Sequence, residues 1–224
     1  MSRGIFVTGT DTGVGKTWVS VGLMAALQRQ GLRVLGMKPV AAGCEETADG
    51  LRNEDAQLLQ QQGSLPMDYA VINPYAFEPP VAPHLAAAQA GVHIDLERIA
   101  RYYQTLAGAA DAVVVEGAGG WLVPLNERDS MADLATRLDL EVILVVGMRL
   151  GCINHALLTA EAIRTRGCRL TGWIANTLDL HMNKLPQNIL SIQQRIEAPL
   201  LGLIPYQECL SVETVAAQIT LNAG

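Results

Sequence analysis

The feature that most constrains the fold is a regular alternation of short apolar runs with helical patterns. Most of these runs are apolar at successive residues, as in strands that are covered on both faces. This alternation predicts an α/β fold with a mainly parallel central sheet of about seven strands and helices on both faces. The strand candidates are residues 4–9, 33–40, 111–117, 142–147, 170–176 and 200–205, and the helix candidates lie near 16–30, 53–62, 95–109, 130–138, 152–166 and 186–197.

No linker, repeat or low-complexity tract interrupts this pattern, and we expect residues 1–224 to form a single domain. The loop-rich stretch at 63–84 contains five prolines and few periodic positions. We expect it to be an ordered excursion over the sheet edge. Gly31 and Gly167 each follow a helix candidate, where glycines commonly end helices.

Composition excludes several classes of protein. Half of the residues are hydrophobic and 17% are charged, which is typical of a globular chain and not of a disordered one. The net charge of −6 gives no basic surface for nucleic acid, and no apolar run is long enough for a membrane span. The four cysteines form no CxxC pair and no signal segment opens the chain, so we expect reduced thiols and a cytoplasmic location.

A glycine-rich stretch, VTGTDTGVGKTWVS at residues 7–20, joins the first strand candidate to the first helix candidate. Glycines let successive backbone N–H groups converge on phosphate oxygens, and the helix N-terminus attracts an anion. Lys16 can reach the outer phosphates, and the Thr17 hydroxyl can bind Mg²⁺. Gly9 lies six residues before Gly15, one more than in the usual G-x-x-x-x-G-K-[ST] pattern. The alternative is a plain helix-capping turn, but such turns rarely supply Gly-Lys-Thr, so the stretch predicts a nucleoside triphosphate site.

Three charged residues near strand ends are candidates for the chemistry of such a site. Glu116 ends the run at 111–117 and precedes small residues, which suits metal binding. Asp55 is a second metal candidate, although Asn53 and Asp55 are equally compatible with a helix start. Lys38 either stabilises a transferring phosphoryl group or is a solvated strand-end lysine.

A second strand–loop–helix junction lies in the stretch VVGMRLGCINHALLTAEAI, at residues 145–163. Its helix start, near Gly151 to Asn154, is a potential site for a carboxylate, with Arg149 beside it. The alternative is a structural junction in which Asn154 caps the helix.

Several stretches together resemble the dethiobiotin synthetases, the ATP-dependent carboxylases of biotin biosynthesis: FVTGTDTGVGKT, MKPVAAG, GLRNEDA, NPY, VEGAGGW, LGCINHALLTA, GWIAN and APLLGLIP. The resemblance covers nearly the whole chain in the same order, apart from its C-terminal end. It implies a P-loop NTPase-like fold and a homodimer with the active site at the subunit interface. The implied enzyme is a cyclo-ligase that forms carbon–nitrogen bonds from 7,8-diaminopelargonic acid, CO₂ or bicarbonate, and ATP with Mg²⁺.

The resemblance also implies roles for individual residues. Lys38 and Lys16 would be catalytic, and Thr17, Asp55 and Glu116 would hold Mg²⁺. Asn176 would contact adenine, and the segment 205–207 would flank it. The full nucleotide set would be Gly13, Val14, Gly15, Lys16, Thr17, Trp18, Asp55, Glu116, Gly117, Ala118, Gly119, Asn176, Thr177, Pro205, Tyr206 and Gln207. The substrate set would be Thr12, Lys38, Ala42, Arg149, Leu150, Gly151, Cys152 and Asn154, with 149–154 supplied by the partner subunit.

Two positions depart from the family pattern. Ala42 stands where the family often has serine, which removes a hydroxyl contact to substrate, and Gly13 stands where glutamate can occur. The reaction implied by the resemblance passes through a carbamate and a carbamic–phosphoric anhydride. The second amine then closes a cyclic urea, and ADP and phosphate are released.

Two other classes of ATP-dependent protein compete with this interpretation. Partitioning and positioning ATPases carry an additional lysine early in the loop, where this chain has Asp11. No basic amphipathic terminal helix for a membrane surface is evident either. Cobyrinate synthetases of the amidotransferase type need a further glutamine-hydrolysing domain, for which 224 residues leave no room.

Overall fold

The computed structural model describes residues 2–221, so residues 1 and 222–224 of the predicted domain lie outside the described residues. The strands are β1 (Arg3–Gly9), β2 (Val34–Met37), β3 (Val40–Ala42), β4 (Glu45–Thr47), β5 (Gly50–Arg52), β6 (Tyr75–Phe77), β7 (Ala112–Glu116), β8 (Glu141–Met148), β9 (Leu170–Thr177) and β10 (Leu200–Ile204). The helices are α1 (Lys16–Arg29), α2 (Glu54–Gln62), α3 (Tyr69–Ile72), α4 (Pro83–Gln89), α5 (Leu96–Ala109), α6 (Met131–Arg137), α7 (Cys152–Thr165), α8 (Leu185–Gln193) and α9 (Val212–Gln218).

The main sheet contains six parallel strands in the order β10-β9-β8-β1-β7-β2. The predicted α/β fold with a parallel sheet is confirmed, and its strand count is close to the predicted seven. Strand order reverses around β1, which lies between β7 and β8. In sheets of this kind ligands bind beyond the carboxyl ends of the strands, at the point of reversal.

Helices cover the sheet on both faces, as predicted. Ile5 and Val7 of β1 pack in a cluster that includes side chains of α1, while the intervening Phe6 packs in a cluster that includes side chains of α5 and α6. A third cluster joins β8 and β9 to α7 and α8 around Trp173. Burial on both faces explains why the strands are apolar at successive positions.

The predicted strand at 33–40 divides into two strands in different sheets. β2 ends at Met37, and β3, which begins at Val40, pairs with β6 in a separate two-stranded sheet. Pro39 has no N–H group to donate between them. The Lys38 N–H donates to the Ile72 carbonyl at 2.8 Å instead. The division therefore turns the chain away from the main sheet at Lys38.

The chain itself covers both edges of the main sheet. At β2, the Ser64 N–H donates to the Val34 carbonyl, beside the contact of Lys38 with Ile72. At β10, the Thr220 N–H donates to the Leu201 carbonyl. The excursion at 63–84 is thus ordered and lies over the β2 edge, as expected.

The predicted helix boundaries agree with the observed ones to within one or two residues, with one exception. The last predicted helix was expected to continue to residue 197, but α8 ends at Gln193. Gly31 and Gly167 follow α1 and α7 with φ of 84° and 72°, as expected for glycines that end helices. Within residues 2–221, none of the helices has both the length and the apolar character needed to cross a bilayer.

Substitution of Leu27 tests how much the packing of α1 against the core contributes to stability. It is fully buried, and we expect Leu27→Ala to lower the free energy of unfolding by about 2–5 kcal/mol, because the cavity left behind adds to the lost burial. The matched change Leu190→Ala removes the same atoms from a helix position that is 52% exposed, and it should cost about 0.5 kcal/mol or less. Urea denaturation measures both. Equal losses would contradict the assignment of Leu27 to the core.

Candidate active site

A cavity of about 680 Å³ opens beyond the carboxyl ends of β1, β2 and β7. Its wall combines the glycine loop and the start of α1, the end of β2 with β3, the start of α2, the segment 80–83 and the residues after β7. This size falls in the range of small-molecule sites. The cavity lies where the reversal of strand order predicts a ligand.

The glycine loop ends in two residues with left-handed backbone. Gly13 and Gly15 have φ of 72° and 88°, a region that side-chain-bearing residues rarely adopt. A Cβ atom on Gly15 would lie 2.2 Å from the Asn176 Nδ2 atom. Asn176 in turn donates from Nδ2 to the Val14 carbonyl at 2.8 Å. Asn176 therefore supports the loop directly from the end of β9.

Lys16, the first residue of α1, is buried at the base of the loop. Its Nζ atom donates to the Asp11 carbonyl at 3.1 Å. Burial, together with the positive charge of Lys38, lowers the pKa of Lys16 to about 8. The ammonium form is thus only moderately favoured at neutral pH, and negative charge placed beside it would stabilise that form.

Lys38 lies at the centre of a charged cluster at the end of β2. Its Nζ atom donates to Glu116 Oε1 at 2.6 Å and to Asp55 Oδ2 at 2.8 Å. The Thr17 hydroxyl donates to the same Glu116 oxygen at 3.0 Å. The Lys38 side chain is 6% exposed, so the interpretation as a solvated strand-end lysine is wrong. α1, α2 and β7 each supply one member of the cluster, and Lys38 is the residue that follows β2.

The two carboxylates determine the charge of Lys38. Burial opposes that charge, but Glu116 and then Asp55 outweigh burial and raise the pKa of Lys38. Burial likewise opposes the charge of Asp55, whereas Lys38 and the Thr17 hydroxyl lower its pKa. The helix-capping role falls to Asn53, whose side chain accepts the Ala56 N–H at 3.2 Å. Asp55 is therefore available to bind a cation.

The oxygen atoms of this cluster fit a magnesium ion. Thr17, Asp55 and Glu116 offer hydroxyl and carboxylate ligands, which Mg²⁺ prefers. Within residues 2–221, Glu116 Oε2 is buried without a hydrogen-bond partner, so it has a free ligand position. No group of three or more His, Cys, Asp or Glu side chains that could hold a metal occurs in that part of the chain. Mg²⁺ commonly keeps water and phosphate ligands in addition to a few protein oxygens.

The structure brings together part of the predicted residue set. Residues on the cavity wall include Thr12, Gly13, Gly15, Lys16, Thr17, Trp18, Lys38, Ala42, Asp55, Glu116, Ala118 and Gly119. Val14, Gly117, Asn176 and Thr177 do not line the cavity. Pro205, Tyr206 and Gln207 lie in an exposed segment after β10, whose residue Ile204 pairs with Asn176. That pairing places residues 205–207 beside Asn176, at the carboxyl end of the sheet.

The segment 149–154 lies outside the cavity wall of its own chain. Leu150 is 99% exposed, Cys152 is buried and Asn154 is exposed. The residue that precedes α7 is Gly151, with φ of 94° and no side-chain cap, so the interpretation of Asn154 as the helix cap is wrong. Arg149 forms an ion pair with Asp11, which joins this segment to the glycine loop.

Two features of the site were not predicted. The first is an apolar wall of the cavity, formed by residues that include Val40, Leu58, Pro80, Val81 and Val123. The prolines of the loop-rich stretch are the sequence signal that could have indicated part of this wall. The second is Asp11, which accepts the Thr12 N–H and binds Arg149. The Thr12 N–H, and then Arg149, lower the pKa of Asp11.

The fold and the site define a P-loop NTPase-like protein, because a glycine loop joins a central strand to a helix that begins with Lys-Thr. Solved structures share this fold. The MinD cell division protein of Aquifex aeolicus is 19% identical with a TM-score of 0.59, over 97% of this chain and 88% of that one. A ParA family ATPase of Chlorobium tepidum is 15% identical with a TM-score of 0.57, over 98% of this chain and 91% of that one. These likenesses concern the fold alone.

Sequence relatives identify the family. A family model described as an AAA domain matches residues 3–214. The ATP-dependent dethiobiotin synthetase BioD of Cellvibrio japonicus is 52% identical over 98% of this chain and 96% of its own length. The corresponding protein of Pseudomonas aeruginosa strain UCBPP-PA14 is 51% identical over 97% and 96%. The chain belongs to the dethiobiotin synthetase family, and the predicted ligase class is confirmed.

Alanine substitutions at Gly13 and Gly15 distinguish the cost of a left-handed backbone from the cost of a steric contact in the loop. Both have left-handed φ, but only Gly15 has a neighbour that a Cβ would strike. Gly13→Ala should cost about 1–2 kcal/mol from the left-handed backbone alone. Gly15→Ala should cost more and should weaken ATP binding further, since it displaces Asn176. Thermal unfolding and calorimetric ATP titration measure both variants. Equal effects would show that the contact with Asn176 is unimportant.

The pKa of Lys16 predicts a pH dependence of nucleotide affinity. The ammonium form predominates below about pH 8, and it is the form that attracts phosphate. ATP affinity should therefore fall as the pH rises through about 8, well before an ordinary lysine would lose its charge. Calorimetric titration with Mg-ATP between pH 7 and 9 measures this change. A flat profile would contradict the role of Lys16 in charge recognition.

Proposed function

We propose that the protein uses ATP and Mg²⁺ to carboxylate and close the ring of 7,8-diaminopelargonic acid, giving dethiobiotin, ADP and phosphate. The observation that carries the proposal is that a single cavity is lined by the phosphate-binding loop, by Lys38 and by apolar side chains. A triphosphate and an aliphatic diamine that share this cavity would both lie near Lys38. The full-length similarity to dethiobiotin synthetases supports the same reaction. We further propose that residues 1–224 form one domain and act in the cytoplasm.

The nucleotide would bind beyond the carboxyl ends of β1, β9 and β10. The loop from Gly13 to Trp18 would hold the phosphates through N–H groups and Lys16, with Gly117 to Gly119 on the opposite side. Asn176 and Thr177 would contact the base, and the segment 205–207 would flank it. The register of β9 and β10, which pairs Asn176 with Ile204, supports this common placement.

Thr17, Asp55 and Glu116 would hold Mg²⁺ beside the phosphates. The ion would supply charge stabilisation to the transferring phosphoryl group. Lys16 and Lys38 would add two cations that the protein fixes in position before the reaction begins. Groups fixed in advance in a buried site stabilise developing charge without the reorganisation that water requires.

The chemistry would proceed in three steps. One amine of the substrate attacks CO₂, forming a carbamate and releasing a proton. A carbamate oxygen then attacks the γ-phosphorus as its bond to the β,γ-bridging oxygen breaks, giving a carbamic–phosphoric anhydride and ADP. The second amine attacks the carbamate carbon and releases phosphate, which closes the five-membered ring. Holding both amines near one carbon makes the closure intramolecular, which is worth about 7–11 kcal/mol in favourable cases.

The apolar wall gives the aliphatic chain of the substrate a complementary surface. Thr12 and Ala42 line the same cavity and would contact the substrate near its reacting end. The carboxylate at its far end would bind the segment 149–154 of a partner subunit in a homodimer. Two observations support this assignment: the segment does not line the cavity of its own chain, and Leu150 is 99% exposed.

The proposal is tested by incubating the purified protein with diaminopelargonic acid, bicarbonate and Mg-ATP. Mass spectrometry should detect the cyclic urea, and phosphate should be released only when the diamine and bicarbonate are both present. A P-loop switch would instead release phosphate without the diamine. Absence of the cyclic urea would refute the proposal.

Lys38→Ala tests the proposed catalytic role. The charge of Lys38 is needed most while the phosphoryl group moves, so kcat should fall far more than ATP affinity, by about two to three orders of magnitude for one lost electrostatic contact. Lys16→Ala is the matched control. It should lower both kcat and ATP affinity, because Lys16 lies within the phosphate loop. Steady-state kinetics and calorimetry separate the two effects. Equal losses in kcat and affinity for Lys38→Ala would argue against a transfer-specific role.

A further inference from the structure

The charged cluster contains one cation at the point where its two acids converge. Lys38 Nζ lies 2.6 Å from Glu116 Oε1 and 2.8 Å from Asp55 Oδ2. The Thr17 hydroxyl also converges on Glu116 Oε1, at 3.0 Å. The ammonium group therefore contacts both carboxylates, those of Glu116 and Asp55, that form the proposed magnesium site.

An ammonium group and a magnesium ion repel each other when both bind one buried carboxylate. Mg²⁺ binds oxygen at about 2.0–2.1 Å, so a metal on the Glu116 carboxylate would lie within a few ångströms of Nζ. At such distances in a buried site, repulsion between the two cations is large. Glu116 Oε2, buried and unpartnered within residues 2–221, leaves this carboxylate with coordination capacity that Lys38 does not use.

We propose that Lys38 is the resident counter-ion of Glu116 and Asp55, and that magnesium displaces it when the nucleotide binds. This inference rests on the proposed function, because it assumes that these carboxylates are the metal ligands. Before the exchange, Lys38 holds the two adjacent acids in place through its hydrogen bonds to them. After the exchange, its ammonium group is free to move toward the phosphates of the bound nucleotide. Lys16 and Lys38 line the same cavity, so both ammonium groups would then face the phosphates. Metal binding would thus place the catalytic lysine.

The exchange is tested first by binding Mn²⁺ to the full-length protein without nucleotide, measured by electron paramagnetic resonance. Removing the competing cation in Lys38→Met should tighten Mn²⁺ binding by about tenfold or more, since affinity is reduced by the fraction of sites that the competitor holds. Lys16→Met is the matched control. It removes an equal charge from the same cavity, but its Nζ donates to the Asp11 carbonyl and to neither acid.

A general loss of positive charge would tighten Mn²⁺ binding equally in the two variants, and that result would overturn the exchange. So would unchanged or weaker binding by Lys38→Met. If the wild-type protein fails to bind Mn²⁺ even with a non-hydrolysable ATP analogue, the metal assignment is wrong and the exchange fails with it. A protein that shows the exchange but makes no dethiobiotin would refute the proposed function and leave the exchange standing.

A second measurement uses the unmodified protein and does not depend on the folding of a variant. The chain has three lysines, Lys16, Lys38 and Lys184, so nuclear magnetic resonance of ¹⁵N-lysine ammonium groups gives a simple spectrum. The Lys38 signal should shift when the ATP analogue is added with Mg²⁺, and it should stay in place when the analogue is added with EDTA. The Lys16 signal should shift in both cases. A Lys38 signal that ignores the metal would contradict the exchange.

Discussion

The interaction on which the site depends is the contact of buried Lys38 with buried Glu116 and partly exposed Asp55. Burying one charged side chain without partners is strongly unfavourable, and here Lys38 and Glu116 each provide the opposite charge that the other needs. Because Lys38 follows β2 and its partners come from β7 and α2, their contact joins the ends of these three elements beside the glycine loop. One set of hydrogen bonds therefore determines how the charges of this part of the cavity are arranged.

Much of the fold follows from the sequence, because strands buried on both faces are apolar at most positions and several of the helices between them carry clear end signals. The elements α3, α4, α9 and β4 to β6 were not predicted, and α3 and these strands have only three or four residues, which provide too little periodicity. The phosphate loop was predictable from its glycines and from the Gly-Lys-Thr sequence at a helix start. The burial of Lys38 was not, because it depends on two acids that are distant in the chain. The apolar wall likewise depends on tertiary packing, because its residues come from separate parts of the chain.

Fold similarity and sequence similarity answer different questions for this protein. The solved structures with the same architecture include MinD and ParA proteins, at under 20% identity, and that likeness reflects the shared sheet and phosphate loop. The family is determined by relatives at about 50% identity over nearly the full chain. Asp11 is one residue at which this chain differs from the partitioning and positioning ATPases. Where the rival class carries a lysine, this chain has an acid that binds Arg149 and accepts the Thr12 N–H.

The covered edges of the main sheet limit how two copies of this chain can associate. Proteins with open edge strands can join by continuing one sheet across two subunits. Here Ser64 and Ile72 already bond to the β2 margin, and Thr220 already bonds to the β10 margin. Backbone groups that are paired within the chain are not available to a neighbouring subunit. A dimer built from helix surfaces and loops would leave these hydrogen bonds intact, whereas one that continued the sheet at Val34 or Leu201 would have to break them.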